Sequence, residues 1–316
     1  MRSRGWFRLL CLAAAVAAVL MLSAACGDNE DEGTATASPI HGAATGTPAA
    51  TPKATGTPAA TPKATGTPAG SPAAAVPELA DSVLQVGSDI AYAPIEFFQE
   101  GTQNPQGLDI DLANALAAQM GVTTTFVNTG FDGIIGALNA SRFDILMSAM
   151  TVTDERSLEI DFIPYFIAGT DILVPAGNPN NIQGLEDLSG LTVGVQIATI
   201  QVDQLTAANA DLKAAGKPEI NVLTFDQNPL AVEQLKVGRA DAVLADSPVA
   251  ANDARLSNGA LEAVGLTIPP EPYGIGVRKE STQLKAAVES ALQALIANGK
   301  YGQILKDWGL EGGAIE

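Results

Sequence analysis

Arg142 to Arg156 reads RFDILMSAMTVTDER, and its reading decides the fold. Phe143 to Met147 is an apolar run of the length and composition of a buried strand. Small residues follow, Ser148 and Ala149, then Met150, the hydroxyl residues Thr151 and Thr153, and Asp154-Glu155-Arg156. A strand ending this way exposes backbone N–H groups and short donors at its carboxyl edge, where α/β sheets hold ligands. Arg156 adds a planar fork suited to two-point carboxylate capture. Taken alone, the stretch reads equally well as a strand followed by a solvated charged turn.

A second copy separates the two readings. Leu138 to Ser148 aligns with Leu235 to Ala245: each reads Leu-x-x-x-Arg-x-Asp, then apolar residues, then a small one. Each follows an amphipathic stretch, with Ile134, Ile135 and Leu138 in the first and Leu230, Val232 and Leu235 in the second. Two similar helix–strand units are therefore expected, the second ending at Ala245-Asp246. Two α/β lobes with facing strand ends would hold Arg156 and Asp246 across one cleft. That arrangement suits a zwitterion.

The chain has 316 residues and a net charge of −18, which argues against nucleic-acid binding. Residues 1–25 read as a secretory signal peptide: Arg2, Arg4 and Arg8, an apolar run from Leu9 to Leu22, then Ser23-Ala24-Ala25. Cys26 after the small residues has the place of a bacterial lipoprotein's lipidated cysteine, although Leu22 stands one position early. A plain signal peptide or an uncleaved anchor is the alternative. The other cysteine, Cys11, lies in the leader, and the lone histidine, His41, lies in low-complexity sequence. The folded part thus lacks a thiolate nucleophile, an imidazole base and a Cys/His metal site, and neither cofactor nor metal is expected. Residues 26–80 read as a tether. ATGTPAATPK recurs at Ala44–Lys53 and Ala54–Lys63, a composition that cannot bury a core and favours polyproline-like extension. It also resembles Thr-rich stalks that carry O-linked glycans.

From Asp81 onward strands and helices alternate, which is an α/β pattern. Strands are expected at Val83–Gly87, Ile95–Phe98, Thr123–Val127, Thr170–Val174, Leu191–Val195, Ile220–Phe225, Ala242–Ala245, Ala260–Val264 and Tyr273–Val277. Gly101–Gln106 reads as a turn. Leu112, Leu116 and Met120 mark a helix closed by Gly121, and further helices are expected near residues 131–140, 229–237, 248–256, 284–295 and 301–308. Another helix carries Val202, Leu205 and Leu212, with Asn209 as its odd polar member. Asp111 and Thr153 read as helix caps, Glu96 as surface, and Asp144 and Asp241 as serving their strands.

From Leu84 to Leu310 the chain resembles the polar amino-acid-binding proteins of bacterial ABC importers, the family 3 solute-binding proteins that bind glutamine, histidine or lysine/arginine/ornithine. Ordered stretches carry the resemblance: Val86-Gly87-Ser88-Asp89 with Tyr92-Ala93-Pro94, Gly107 to Leu112, Phe131 to Ile135, Met150 to Arg156, Ile160-Asp161-Phe162, Ala245 to Pro248, and Gly299-Lys300-Tyr301 to Trp308. It implies a periplasmic-binding-protein-like α/β fold of two lobes joined by two crossover strands around a ligand cleft. Lobe 1 would span 81–170 and 270–316, lobe 2 171–269.

The resemblance also implies roles. Arg156 and the N–H of Thr151 would bind an α-carboxylate, with Thr199 a further donor and a backbone donor at Ile200. Asp246, helped by Ser148, would bind the α-ammonium. Tyr92 and Phe131 would wall the side chain, or else are plain core aromatics. Asp89 would meet the side chain's polar end, with Asp109 a second acid there. Ala149 and Gln196 complete the expected site. A basic or amide side chain is favoured over an acidic one, and Gln196 does not choose between them. Ile197 and Ile200 stand where the family has small or hydroxyl residues, which adds bulk.

The function expected is a lipid-anchored extracytoplasmic receptor, a monomer and not an enzyme. It would deliver a polar amino acid to ABC permease subunits from the outer face of the cytoplasmic membrane. The alternatives are a same-fold dehydratase of the cyclohexadienyl or arogenate type and an amino-acid sensor module. The chain end near Glu316, without a membrane helix or cytoplasmic domain, argues against a sensor.

Overall fold

The computed structural model describes residues 76–266 and 268–315. The signal peptide, Cys26 and the repeats expected in the tether lie outside them. Packed chain is already present at Val76, before the expected start at Asp81. Val76 and Leu79 are buried in the main core around the short turn Pro77–Leu79. Glu78 lies 3.8 Å from the buried Arg278. Residues 76–80 are therefore packed chain rather than tether.

Two five-stranded sheets share one plan. The first has the order β5(Thr123–Asn128), β1(Val83–Ser88), β6(Ile145–Leu146), β13(Glu271–Val277), β7(Asp161–Ala168). The second has the order β10(Asn221–Phe225), β9(Thr192–Gln196), β11(Ala242–Asp246), β8(Thr170–Pro175), β12(Leu261–Gly265). In both sheets the first three strands pair parallel, and the fourth pairs antiparallel with its neighbours on both sides. The chain leaves the first sheet from β7 into β8 through Gly169 and returns from β12 into β13. Those two passages make two α/β lobes. A small third sheet, β2(Ala91–Tyr92), β3(Glu96–Phe98) and β4(Pro105–Gln106), packs against the helix that follows it, residues 108–120. The expected turn at 101–106 ends in its last strand.

The repeat read in the sequence has a structural cause. In the first lobe Gln85 N–H donates to Asp144 Oδ2 at 2.8 Å, while Asp144 N–H donates to the Gln85 carbonyl at 2.9 Å. In the second, Thr192 N–H donates to Asp241 Oδ2 at 2.8 Å and Asp241 N–H to the Thr192 carbonyl at 2.7 Å. Each aspartate thus pins the strand after it, β6 or β11, to the neighbouring strand, β1 or β9, satisfying a backbone donor beyond the ladder. Asn209 is explained similarly. Its amide brackets Ile220, accepting from Ile220 N at 2.6 Å and donating to Ile220 O at 3.1 Å, and so fixes the approach to β10.

Apolar helix faces cover the sheets. In α1(Leu108–Met120) Leu112, Leu116 and Met120 are buried, and left-handed Gly121 (φ 79°) ends the helix. α7(Thr282–Ala297) and α8(Lys300–Trp308) join the same core. Neither Asp109 nor Asp111 caps α1, whose N-cap is Gly107. Asp111 instead accepts from Trp308 Nε1 at 2.9 Å. Thr153 does cap α3(Asp154–Glu159), accepting from Arg156 N at 3.1 Å. β7 is the one long strand absent from the sequence-based expectations, because Pro164 interrupts its pattern. It is an edge strand, where proline is tolerated.

Candidate functional site

The carboxyl ends of β1, β6, β9 and β11 converge on one pocket between the two sheets. Eleven residues expected at the site line it: Asp89, Tyr92, Phe131, Ser148, Ala149, Thr151, Arg156, Gln196, Thr199, Ile200 and Asp246. Glu96 and Gln201 line it too.

Arg156 and Asp246 supply opposite charges, one from each lobe. The Arg156 guanidinium donates to Thr151 O at 2.7 Å and to Ala198 O at 2.8 Å, and lies 5.5 Å from the Phe131 ring centroid. Burial lowers its pKa, and the charges of Asp203 and Asp246 oppose that shift. Asp246 is 5 % exposed; it accepts from Gln201 Nε2 at 2.7 Å and from Tyr92 Oη at 3.1 Å. Burial pushes Asp246 up to about 6, against its hydrogen bonds and the charge of Arg156. At the other end Asp89 accepts from Gln196 Nε2 at 2.8 Å and Gln227 Nε2 at 3.3 Å. Burial raises Asp89 and those amides counter it. Four of these contacts run from one lobe to the other: Tyr92 to Asp246, Gln196 and Gln227 to Asp89, and Arg156 to Ala198.

Several expectations need correction. Glu96 is not at the surface. It is 1 % exposed, lines the pocket and accepts from Ser148 Oγ at 3.0 Å. A two-residue alternation hides this, because the small sheet buries Ile95 and Glu96 together. Asp109 is not a pocket acid but stands behind it, bound to Ala149 N and Tyr165 Oη. Ser148 serves Glu96 and Asp89 N rather than Asp246. The Thr199 hydroxyl donates to Gln196 O at 2.8 Å and so is already spent locally. Ile197, expected to add bulk, is 37 % exposed and does not line the pocket. Gln201 escaped the sequence reading. Its only signal was its place in the first turn of α4(Ile200–Ala214), next to the strand ends.

The comparisons decide the family. Residues 84–311 match the model of the bacterial extracellular solute-binding proteins, family 3. The chain belongs to this family. This family 3 protein is 35 % identical over 246 residues to the arginine-binding protein ArgT of Corynebacterium glutamicum, covering 77 % of this chain and 80 % of that one. It is 30 % identical over 226 residues to the L-cystine-binding protein TcyJ of Escherichia coli, covering 71 % and 82 %. Among solved structures, an ancestral arginine-binding protein bound to glutamine superposes with a TM-score of 0.67 at 38 % identity, covering 73 % of this chain and 99 % of that one. The ancestral amino-acid-binding protein AncCDT-1, a precursor of cyclohexadienyl dehydratase, gives 0.66 at 37 % identity, covering 73 % and 96 %.

Proposed function

We propose that this family 3 protein is the extracytoplasmic receptor of an ABC importer for a polar amino acid, and that its ligand carries a basic side chain. The observation that carries this reading is one pocket holding Arg156 and Asp246 from opposite lobes, with Asp89 at a further wall. A zwitterion leaving water needs partners of both signs, or each ion costs several kcal/mol. Arg156 would take the carboxylate and Asp246 the ammonium. Asp89 then leaves one cation facing two carboxylates, a surplus negative charge that a cationic side chain neutralises and an amide does not. Relatives named for arginine support this, whereas the glutamine-bound and cystine-binding relatives show how far the family ranges. Lobes closing about β7–β8 and β12–β13 would bring the halves of the site together. Residues 76–170 and 270–316 would move against 171–269. In this reading a signal peptide is removed, Cys26 carries a lipid at the outer face of the cytoplasmic membrane, and the tether lets a monomer reach its permease. A dehydratase is disfavoured because the pocket acids all have binding partners and no imidazole is at hand.

Thermal unfolding against the twenty amino acids plus ornithine and citrulline tests the ligand class. A ligand at a thousand times its dissociation constant adds about 4 kcal/mol and should raise the midpoint by several degrees. Arginine, lysine or ornithine is expected to give the largest shift. A glutamine shift exceeding all three would reject the basic-ligand reading.

The pH dependence has opposite signs for stability and affinity. Asp246 and Asp253 are each pushed up to about 6, mainly by burial, so between the ordinary aspartate range and pH 6 the folded state binds more protons than the unfolded one. Stability without ligand is therefore highest at the acid end of that window and falls as pH rises through it. Ammonium binding needs ionised Asp246, so arginine affinity should fall by up to about tenfold per unit below pH 6. Calorimetric titration and unfolding across pH 4.5–7.5 check both. Parallel trends would remove Asp246 from the ammonium site.

A further inference from the structure

Glu96, at the pocket wall, and Asp109, behind it, are two carboxyl groups, each 1 % exposed, within hydrogen-bonding reach of each other. Among the described residues no ion pair joins either to a lysine or arginine. The titratable groups that face them are Asp89, Tyr92 and Tyr165, and none of these is a cation. Two bare carboxylates so placed would repel at close range in a poorly solvated site.

The hydrogen bonds show which partner holds a proton. Asp109 sits in the first turn of α1, where the helix dipole favours an anion. Both its oxygens accept: Oδ2 from Ala149 N at 3.0 Å, Oδ1 from Tyr165 Oη at 2.6 Å. Glu96 is different. Its Oε1 accepts from Ser148 Oγ, while buried Oε2 has no donor partner. An orphan oxygen beside an anion is the place for a carboxylic acid proton.

We propose that Glu96 and Asp109 share one proton, carried by Glu96 Oε2 and donated to Asp109, and that this pair is a positioning device for the ligand pocket. It holds Ser148 through Glu96 and Ala149 through Asp109, so the turn at the end of β6 is gripped from both acids. Ala149 is held at φ 46°, a left-handed conformation costly for a residue with a Cβ. Ser148 in turn accepts from Asp89 N at 2.9 Å, which carries the placement to the acid at the pocket's end. Burial and the neighbouring carboxylates hold the Glu96 pKa well above the ordinary range, in agreement with the geometry. Glu96 therefore lines the pocket without adding a negative charge, and the charge that selects a side-chain cation is that of Asp89.

The inference rests on the receptor reading only for its affinity test. Glu96→Gln keeps a donor toward Asp109 and an acceptor for Ser148, so its loss of arginine affinity should be smaller than that of Asp109→Asn. Asp109→Asn cannot accept from both Ala149 and Tyr165 and should lose at least about tenfold. Two further readouts need no ligand. The infrared C=O band of a protonated carboxyl should be present in wild type at pH 7 and absent in Glu96→Gln. The wild-type unfolding constant should rise relative to that of Glu96→Gln by about tenfold per unit from pH 5 to 7, since only wild type must hold a proton to fold. Equal affinity losses in the two variants, or an unchanged band with a pH-independent stability difference, would overturn the shared proton. A failure of every amino acid to bind, with the band and the pH slope present, would overturn the receptor reading instead.

Discussion

Arg156→Ala is expected to lower amino-acid affinity by about two to three orders of magnitude, the effect of removing one partner of a buried, hydrogen-bonded charge pair. The guanidinium lies between Thr151 O and Ala198 O, one carbonyl from each lobe, and against the Phe131 ring. Two of its donors are engaged there, which fixes the plane of the fork while leaving other N–H groups for a carboxylate. Asp246→Ala should cost a similar factor, because the ammonium would be left against Tyr92 and Gln201. Arg156→Lys keeps the charge but loses the planar fork, and should recover only part of the affinity. The measurement is calorimetric titration with arginine at fixed salt, together with thermal unfolding of each variant without ligand. Arg156 makes no ion pair within 4 Å among the described residues, so the ligand-free midpoint of Arg156→Ala should stay close to wild type. An affinity loss below tenfold with an intact fold would place the carboxylate elsewhere.

Gly107→Ala should destabilise the fold by roughly 3–5 kcal/mol, the sum of backbone strain and overpacking. Gly107 has φ 131° and ψ 174°, a region that residues with a Cβ rarely adopt. A Cβ there would lie 2.2 Å from the Ile95 carbonyl oxygen and 2.6 Å from its carbon. The contact is to backbone, which cannot rotate away. Leu108 N and Asp109 N donate to Pro94 O and Ile95 O at 3.1 and 2.9 Å, tying the start of α1 to the segment carrying Glu96. The substitution therefore pries Glu96 from Asp109, and ligand affinity should fall along with stability. The expected drop in midpoint is roughly 10 °C. Gly101→Ala is the control. Its φ of 72° also favours glycine, but nothing lies within 4 Å of the added Cβ, so only about 1–2 kcal/mol of strain is expected. Equal losses in the two variants would mean that the close approach to Ile95 is not the cause.

Local periodicity and the repeated Leu-x-x-x-Arg-x-Asp were enough to read the α/β class, the twofold plan and most strands. Asp144 and Asp241 show why: each acts on a backbone N–H of a neighbouring strand in the same lobe, so one local device recurs at one spacing in both halves. The residues around the pocket were legible because strand ends, small residues and Arg156 carry their chemistry in short ordered stretches. What sequence could not decide was which groups satisfy one another across long separations. Glu96 follows buried Ile95, where strand alternation reads it as outward, and only the packing of the small sheet against α1 buries it beside Asp109. Ser148 and Thr199, with free hydroxyls on paper, are committed to Glu96 and Gln196 in space. Gln201 and Gln227 reach Asp246 and Asp89 over 45 and 138 positions of chain. Propensity and periodicity report each residue's own backbone, whereas the partner of a buried polar atom is fixed by tertiary packing, because a polar group removed from water must find a partner wherever the fold brings one.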